Sequence, residues 1–319
     1  MAKTPPETGV CDLSSRPRHA PYLHTEPEQF GADRQSPIVR LGLRPLSPDG
    51  WLEPDSWNPA ATAFKRSLLA RDRASVHRSL DGSEAGALEI EQLIDEHLST
   101  RSPTANPAAR GARAAAGGQR CEEPLIRAGL RVIDDLCLLE PRAGRYILTA
   151  AFVCSPTHWR LEEKIGLPIA DIHQPVPGYE ERIERSVNRI LETLPVDRVL
   201  GRFNWSLTGS SQSFLPVREA AELERLDAIA RSTDAIDKIG EAVYVRVERQ
   251  SLRRLPRSGG VVFTIRVHSD TVATVASDAP HARGLRAAID ALTEAEAAYK
   301  GISGLRDLLL DYLGRRAAL

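Results

Sequence analysis

The sequence has few of the residues by which metal clusters and membrane segments are usually recognised. Only four cysteines occur in 319 residues, and none forms a CxxC pair, which excludes a zinc knuckle and a ferredoxin-type cluster. No run reaches the roughly 18 apolar residues that a membrane span needs. The start, MAKTPPETGV, lacks the apolar core of a signal peptide. These absences predict a soluble cytoplasmic protein with reduced thiols.

Charge and short motifs exclude several further classes of function. The chain has 42 Lys and Arg against 43 Asp and Glu, a formal net charge of -1, so no basic field indicates nucleic acid or an anionic membrane as a partner. It contains no GxGxxG, GxxxxGK[ST], HExxH or GxSxG motif. Dinucleotide, P-loop, zincin and hydrolase sites therefore lack their physical parts.

The chain divides into an N-terminal arm and one large folded unit. Residues 1–37 are rich in Pro, Glu, Arg and His without apolar periodicity, which predicts an irregular arm. Residues 38–319 are expected to form a single domain, since a hydrophobic content of 42% suffices for a substantial core. Within that domain, residues 100–123 have almost no large apolar side chain and predict a mobile loop.

Hydrophobic periodicity predicts the order of helices and strands. Helices are expected from about residue 60, and over 84–98, 124–138, 179–194, 280–298 and 301–316. Strands are expected over 144–154, 197–209, 242–252 and 259–269, with the last two joined by the turn RRLPRSGG. The order favours an α+β fold with an antiparallel sheet, a helical N-terminal layer and C-terminal helices.

One histidine lies in an unusually constrained segment. In ADIHQPVPGY, His173 is followed by two prolines within four residues, which restrict the backbone around it. Most histidines are structural, and that interpretation is preferred for His97 and His268. His158, in SPTHW, is the alternative to His173 as a ligand.

Two neighbouring strands alternate apolar and polar residues. In the first, Val243, Val245 and Val247 share one face, and Tyr244, Arg246, Glu248 and Gln250 share the other. In the second, Phe263, Ile265 and Val267 alternate with Thr264, Arg266 and His268. The two polar rows are expected either to be solvated or to line a cavity together.

Several ordered strings resemble the haem-dependent oxidative N-demethylase family, which was long catalogued as a domain of unknown function and includes a dimethylamine monooxygenase subunit. They are LGLRPLSPDGWLEPDSW, CSPTHWRLEEKIGLPIADIHQPVPGY, RFNWSL and RVERQSLRRLPRSGGVVFTIR. The likeness extends from about residue 20 to about residue 315. It implies a PAS-like haem-binding fold and oxygen-dependent removal of a methyl group from a secondary amine, giving formaldehyde and a primary amine.

The resemblance also implies roles for particular residues. His173 would bind the haem iron, with His158 as the alternative. Glu248 would pair with the ammonium group of the amine, or else form a salt bridge with Arg246 or Arg266. Tyr244 would donate a hydrogen bond in the same pocket.

Further residues are expected around the haem. Arg253, Arg254 and Arg266 would bind its propionates, since guanidinium groups match carboxylates. Asn204 and Trp205 would form walls of the cavity, although a plain core role for Trp205 is the alternative.

The implied chemistry requires electrons from outside the chain. They are expected to come from NAD(P)H through a separate flavin and iron–sulfur reductase, because the sequence has neither a nucleotide-binding glycine loop nor a cluster of cysteines. Two alternatives remain open: a haem sensor or carrier without catalysis, and a ligand-binding module that has lost haem.

Overall fold

The computed structural model describes residues 19–24, 42–54, 58–101, 122–179 and 184–318. Most of the predicted N-terminal arm and residues 102–121 of the predicted loop lie outside these described residues. The expectations for both segments stay predictions.

Seven strands form one antiparallel sheet in the described part of the chain, in the spatial order β1-β5-β6-β7-β3-β4-β2. The strands are β1 (Arg44–Leu46), β2 (His77–Ser79), β3 (Asp135–Arg142), β4 (Arg145–Phe152), β5 (Val199–Thr208), β6 (Tyr244–Arg254) and β7 (Val261–Thr271). The α+β class and the antiparallel hairpin of β6 and β7 are confirmed.

Eleven α-helices accompany the sheet among the described residues. They are α1 (Pro59–Val76), α2 (Glu84–Arg101), α3 (Pro124–Gly129), α4 (Ile169–His173), α5 (Glu184–Thr193), α6 (Ala220–Ala230), α7 (Ala235–Ala242), α8 (Val272–Val275), α9 (Ala279–Asp290), α10 (Glu294–Tyr299) and α11 (Arg306–Ala317). In the described ranges, no helix combines the length and apolarity needed to cross a membrane.

Strand register divides the side chains of the sheet between two faces. The helical face contains Val245, Val247, Arg249, Thr264, Arg266 and His268. The connection face contains Arg246, Glu248, Gln250, Phe263, Ile265 and Val267.

The helical face is covered by two groups of helices. Helices α1, α2 and α3 pack on its β3 and β4 end, where Leu136, Leu138 and Phe152 are fully buried. The C-terminal helices pack on its β5 and β6 end, against Trp205 and Val245. Each fully buried large apolar side chain contributes about 1.5 to 3 kcal/mol, so these two clusters hold the helices on the sheet.

The connection face is covered by the segment that joins β4 to β5. Ile169 of α4 and Leu191 of α5 are buried against Cys137, Leu148 and Val261 of the sheet. The thiols of Cys137 and Cys154 are free and buried. This arrangement places the proline-rich segment around His173 over the sheet.

The predicted helix over 124–138 is wrong in its second half, where β3 begins at Asp135. Gly129 ends α3, and a Cβ atom there would lie 2.3 Å from the Phe152 ring. Residues 135–139 are buried on both faces of the sheet. After Asp135 this buried run, LCLL, is apolar and lacks the period of two, so its sequence cannot be told from a buried helix.

The expectation that the two polar rows line one cavity is also wrong. Glu248 pairs with Val267, and Val247 pairs with His268, so the polar row of β6 and the polar row of β7 point to opposite faces. Arg266 is buried on the helical face, whereas Ile265 is only half-buried on the connection face.

The C-terminal helix predicted over 280–298 is two helices. Thr293 begins the second with a capping box, in which its side chain accepts from the Glu296 amide and Glu296 accepts from the Thr293 amide. The box satisfies two backbone donors at a new helix start. Strands β1 and β2 and helices α6 and α7 were not predicted at all.

Candidate functional site

His173 is the last residue of α4, and one of its two ring nitrogens is fixed by the backbone. Its Nδ1 lies 2.8 Å from the Ile169 carbonyl oxygen. A carbonyl oxygen only accepts hydrogen bonds, so the proton of the neutral ring is on Nδ1. The lone pair is therefore on Nε2, which can bind a metal ion.

The two prolines of the segment lie between His173 and an aromatic partner. The Val176 amide donates to the His173 carbonyl (2.8 Å), and the Tyr179 amide donates to the Val176 carbonyl (3.1 Å). These consecutive turns bring the Tyr179 ring parallel to the His173 ring. Sequence reasoning missed Tyr179, although it ends the same ten-residue string.

The electrostatics of the site keep His173 neutral. Burial lowers the pKa of the imidazole, and the positive charges of Arg202 and Lys164 lower it further. Glu248 acts in the opposite direction on the same pKa, which shows that its carboxylate lies within electrostatic range. A neutral imidazole is the form that binds iron.

Glu248 is half-buried on the connection face and accepts three hydrogen bonds. Its Oε2 accepts from Gln250 Nε2 at 2.8 Å and from Asn204 Nδ2 at 3.3 Å. Its Oε1 accepts from Thr157 Oγ1 at 3.3 Å. All three donors are neutral, so they fix the carboxylate in place without an ion pair, while the positive charges of Arg246, Arg202 and Lys300 lie within electrostatic range of it.

Neither salt bridge considered for Glu248 is formed. Arg246 donates instead to Thr157 Oγ1 (3.3 Å) and to backbone carbonyls, among them that of Gln212 (2.8 Å). Arg266 lies on the helical face, with its Nε 3.7 Å from Glu53. Glu248 has no ion-pair partner among the residues that the structure describes.

His158, the alternative ligand, has the opposite tautomer to His173. Its Nδ1 lies 3.1 Å from Arg218 Nη2, and a guanidinium group can only donate, so the neutral ring has its proton on Nε2. That Nε2 is buried without a hydrogen-bond partner in the described ranges. Burial, together with Arg218 and Arg246, lowers the pKa of His158 to about 4. Its Nε2 is a donor here, whereas the Nε2 of His173 is an acceptor.

The backbone at His158 is also unusual. Its φ is 57°, in the left-handed region that residues other than glycine seldom adopt. Such strain is found preferentially at functional sites. The amide of His158 donates to the Leu215 carbonyl at 2.6 Å, which holds the turn beside Thr157.

The structure does not bring the three predicted propionate arginines together with His173. Arg253 and Arg266 lie on the helical face, the former with its guanidinium 4.6 Å from the centroid of the Trp51 ring. Arg254 lies on the connection face but donates to the carbonyls of Leu194 and Gly259. These hydrogen bonds give Arg254 a structural role.

A different arginine, Arg202, lies on the same face as Glu248. It pairs with Gln250 across β5 and β6, and its charge affects the pKa of His173. The Arg202 Nε is buried with no hydrogen-bond partner among the described residues. Burial lowers the pKa of this guanidinium, so an anion beside it would relieve an unfavourable buried charge.

Asn204, Trp205 and Tyr244 do not all lie at the site, because successive side chains of a strand point to opposite faces of the sheet. Asn204 lies at the site, bound to Glu248. Trp205 points to the helical face and is 6% exposed in the core under the C-terminal helices, with Lys300 Nζ 4.2 Å from its ring centroid. Tyr244 shares the face of Glu248 but lies four residues away, or about 13 Å along the strand.

The fold and the site together define an α+β protein in which a neutral histidine and a carboxylate lie on one side of an antiparallel sheet, and the described residues give that carboxylate no ion-pair partner. The model of a family described as haem-dependent oxidative N-demethylase, alpha subunit-like, matches residues 42–310. The chain belongs to this family, and the resemblance noted in the sequence is confirmed. The family name indicates dependence on haem, and its description as subunit-like implies a partner subunit.

Proposed function

We propose that this chain is the haem-binding, amine-oxidising subunit of an N-demethylase for a small secondary alkylamine. The observation that carries the proposal is that the Glu248 carboxylate, on the connection face of the sheet, lies within electrostatic range of the His173 imidazole in the segment that covers this face. The first is suited to binding iron, and the second to binding an ammonium ion. Membership of the family supports the class of reaction.

His173 and side chains of the connection face have the chemistry to hold a haem group. Its Nδ1 is oriented by a backbone carbonyl, as expected for a histidine that binds a metal through Nε2. Phe263, Ile265 and Val267 are half-buried on the same face, and an apolar macrocycle would cover such side chains. Arg202 Nε, buried and without a hydrogen-bond partner in the described ranges, would bind a propionate.

The order of elements supports a PAS-like fold for the haem domain. Two paired strands, β3 and β4, are followed by the helical connection and then by three consecutive antiparallel strands, β5 to β7. This order agrees with the PAS-like fold that the family resemblance implies. In it, the connection and the sheet enclose the site between them.

The amine would bind as an ammonium ion at Glu248. The three neutral hydrogen bonds keep the carboxylate oriented, and the described residues supply no ion-pair partner that the amine would have to displace. The Thr157 hydroxyl bridges Arg246 and Glu248, because it accepts a hydrogen bond from the guanidinium and donates one to the carboxylate. The amine would then be held within electrostatic range of His173.

Haem, when bound, would supply the activation of oxygen. The balanced reaction takes one secondary N-methylamine, one O2, two electrons and two protons to one primary amine, one formaldehyde and one water. We expect the electrons to come from NAD(P)H through a separate flavin and iron–sulfur reductase, since the sequence has no nucleotide-binding glycine motif.

The test is an assay of formaldehyde and methylamine formed from dimethylamine by the haem-loaded chain in air. With NADPH alone we expect no product; with NADPH and a surrogate flavin and iron–sulfur reductase we expect the two products in equal amounts. Glu248→Gln should lose this activity while keeping haem. Electron delivery without product, together with no spectral response to amine, would favour a haem sensor or carrier instead.

A further inference from the structure

Three residues far apart in the sequence meet on the helical face of the sheet. His19 Nε2 lies 2.8 Å from Glu53 Oε1, and His268 Nε2 lies 2.9 Å from Glu53 Oε2. The ligand atoms of the three side chains all lie within 4.8 Å of one another. Two imidazoles therefore converge on the two oxygens of one carboxylate.

Packing already holds these side chains close to a chelating arrangement. The His19 ring contacts the Phe203 ring, with 4.7 Å between centroids, and meets the His268 ring edge-on at 4.9 Å. The Glu53 and His268 side chains are 9% exposed, whereas that of His19 is 23% exposed. The cluster is thus mostly enclosed and open on the side of His19, where an ion from solvent would enter.

We propose that His19, Glu53 and His268 form a binding site for a divalent transition-metal ion of the Zn²⁺ class. Two histidines and one carboxylate are an established ligand set for such ions and leave a position for water. The ion would replace the two hydrogen bonds to Glu53 by three metal–ligand bonds. The ring protons of the two histidines would move to Nδ1 or leave to solvent.

The surrounding charges select the kind of metal. Arg266 Nε lies 3.7 Å from Glu53 Oε2, so the carboxylate charge is already partly neutralised. Ca²⁺ and Mg²⁺ depend on several oxygen ligands and on their charge. The two imidazoles favour instead an ion that prefers nitrogen ligands, as Zn²⁺ does.

The site would fasten the N-terminal segment to the sheet. His19 lies two residues before Pro21, the first residue of the short 3-10 helix Pro21–His24. Within that helix, Tyr22 is fully buried in the cluster under the C-terminal helices. A metal bond at His19 would join this segment to Glu53 and to β7, and would stabilise the folded state by mass action.

This metal site is separate from the proposed haem site. His268 pairs with Val247 and lies on the helical face, whereas Glu248 and the connection around His173 lie on the opposite side of the same sheet. Loss of either site is therefore expected to leave the other in place, so failure of one proposal can be told from failure of the other.

The experiment measures Zn²⁺ binding by the chelator-stripped full-length protein, by competition with a chromophoric chelator and by elemental analysis after dialysis. His19→Ala is the main variant, because His19 is the most exposed ligand and its loss should spare the core. His281→Ala is the matched control, since its ring contacts Tyr22 of the same segment (6.2 Å between centroids) but lies outside the triad. His173→Ala tests independence from the haem site.

Wild type, His281→Ala and His173→Ala should each bind one Zn²⁺, and Zn²⁺ should raise their melting temperatures. His19→Ala should bind it about 100-fold more weakly or worse and show no such rise. Equal Zn²⁺ affinity in wild type and His19→Ala would overturn the proposal. So would a wild type that retains no ion after dialysis while its haem spectrum is normal.

Discussion

The rings of His173 and Tyr179 stack almost parallel, with 4.7 Å between their centroids and 9° between their planes. The contact joins the two ends of a short proline-containing turn. The stack fixes the plane of the imidazole ring. The hydrogen bond between its Nδ1 and the Ile169 carbonyl oxygen also holds the ring in place. His173 is thus preorganised before any ligand binds.

Replacement of Tyr179 should weaken haem binding through this stack. Tyr179→Phe keeps the ring and should leave haem affinity near that of wild type. Tyr179→Leu removes the ring and should lower the affinity about 10-fold, since an aromatic pair contributes about 0.5 to 1.5 kcal/mol. Haem titration followed at the Soret band measures both variants. Unchanged affinity in Tyr179→Leu would mean that the stack does not position His173.

Glu248→Gln should weaken amine binding without loss of haem. The amide preserves the shape of the side chain but removes the charge that the ammonium ion requires. Because Glu248 is half-buried, we expect a loss near the lower end of the usual range, about 2 kcal/mol or roughly 30-fold in Kd. Dimethylamine titration of the ferric protein, followed by the Soret shift, gives the dissociation constants of wild type and Glu248→Gln.

The matched control is Glu241→Gln, an exposed residue of α7 just before the same strand. It should bind amine like wild type. Equal dissociation constants for Glu248→Gln and wild type would exclude the carboxylate as the amine site.

His158 should make the protein less stable in mild acid. Its pKa is about 4 in the folded state against a usual 6.5, so the unfolded chain takes up the proton first as the pH falls. The contribution of neutral His158 to the free energy of unfolding is complete above pH 6.5 and is lost between pH 6.5 and about 4. It amounts to about 2 to 3 kcal/mol.

His158→Asn tests this pH dependence, because asparagine tolerates a positive φ and does not titrate. Urea unfolding at about pH 7 and about pH 4.5 should show a smaller loss of stability for the variant than for wild type. The same loss in both proteins would show that other groups are responsible.

Gly129→Ala should destabilise the packing of α3 on the sheet. The added Cβ would lie too close to the ring of the fully buried Phe152. Gly129 is buried as well, so either α3 or the Phe152 ring would have to shift. We expect a cost of about 1 to 3 kcal/mol in the free energy of unfolding. Gly304→Ala, whose Cβ would meet nothing within 4 Å, is the control and should be nearly neutral. Similar unfolding curves for the two variants would contradict the packing described here.

Local patterns predicted part of this fold, and long-range pairing decided the rest. The alternation in β6 and β7 located both strands and their hairpin to within two residues, because a period of two is visible in a strand with one polar face. It could not tell which row of β6 lies beside which row of β7. That depends on the register, in which Arg254 pairs with Val261 across the turn.

Sequence patterns predicted three residues of the candidate site, His173, Glu248 and Asn204, but not how they are connected. ADIHQPVPGY indicated His173, but further residues that set the charge and hydrogen bonding of the site come from other segments. Arg202 lies on β5, and Thr157 follows β4. The triad of His19, Glu53 and His268 spans most of the chain and has no local signal. Such groups become visible only when the sheet brings them together.

The most direct test of the central claim, that His173 holds haem on the connection face, is a titration of ferric haem into the purified apoprotein followed at the Soret band. Wild type and His158→Ala should each develop the band with one equivalent of haem. His173→Ala should not, and added imidazole should restore part of it. A wild-type spectrum and affinity in His173→Ala would place the iron ligand elsewhere, and no Soret band in wild type would contradict haem binding by this chain.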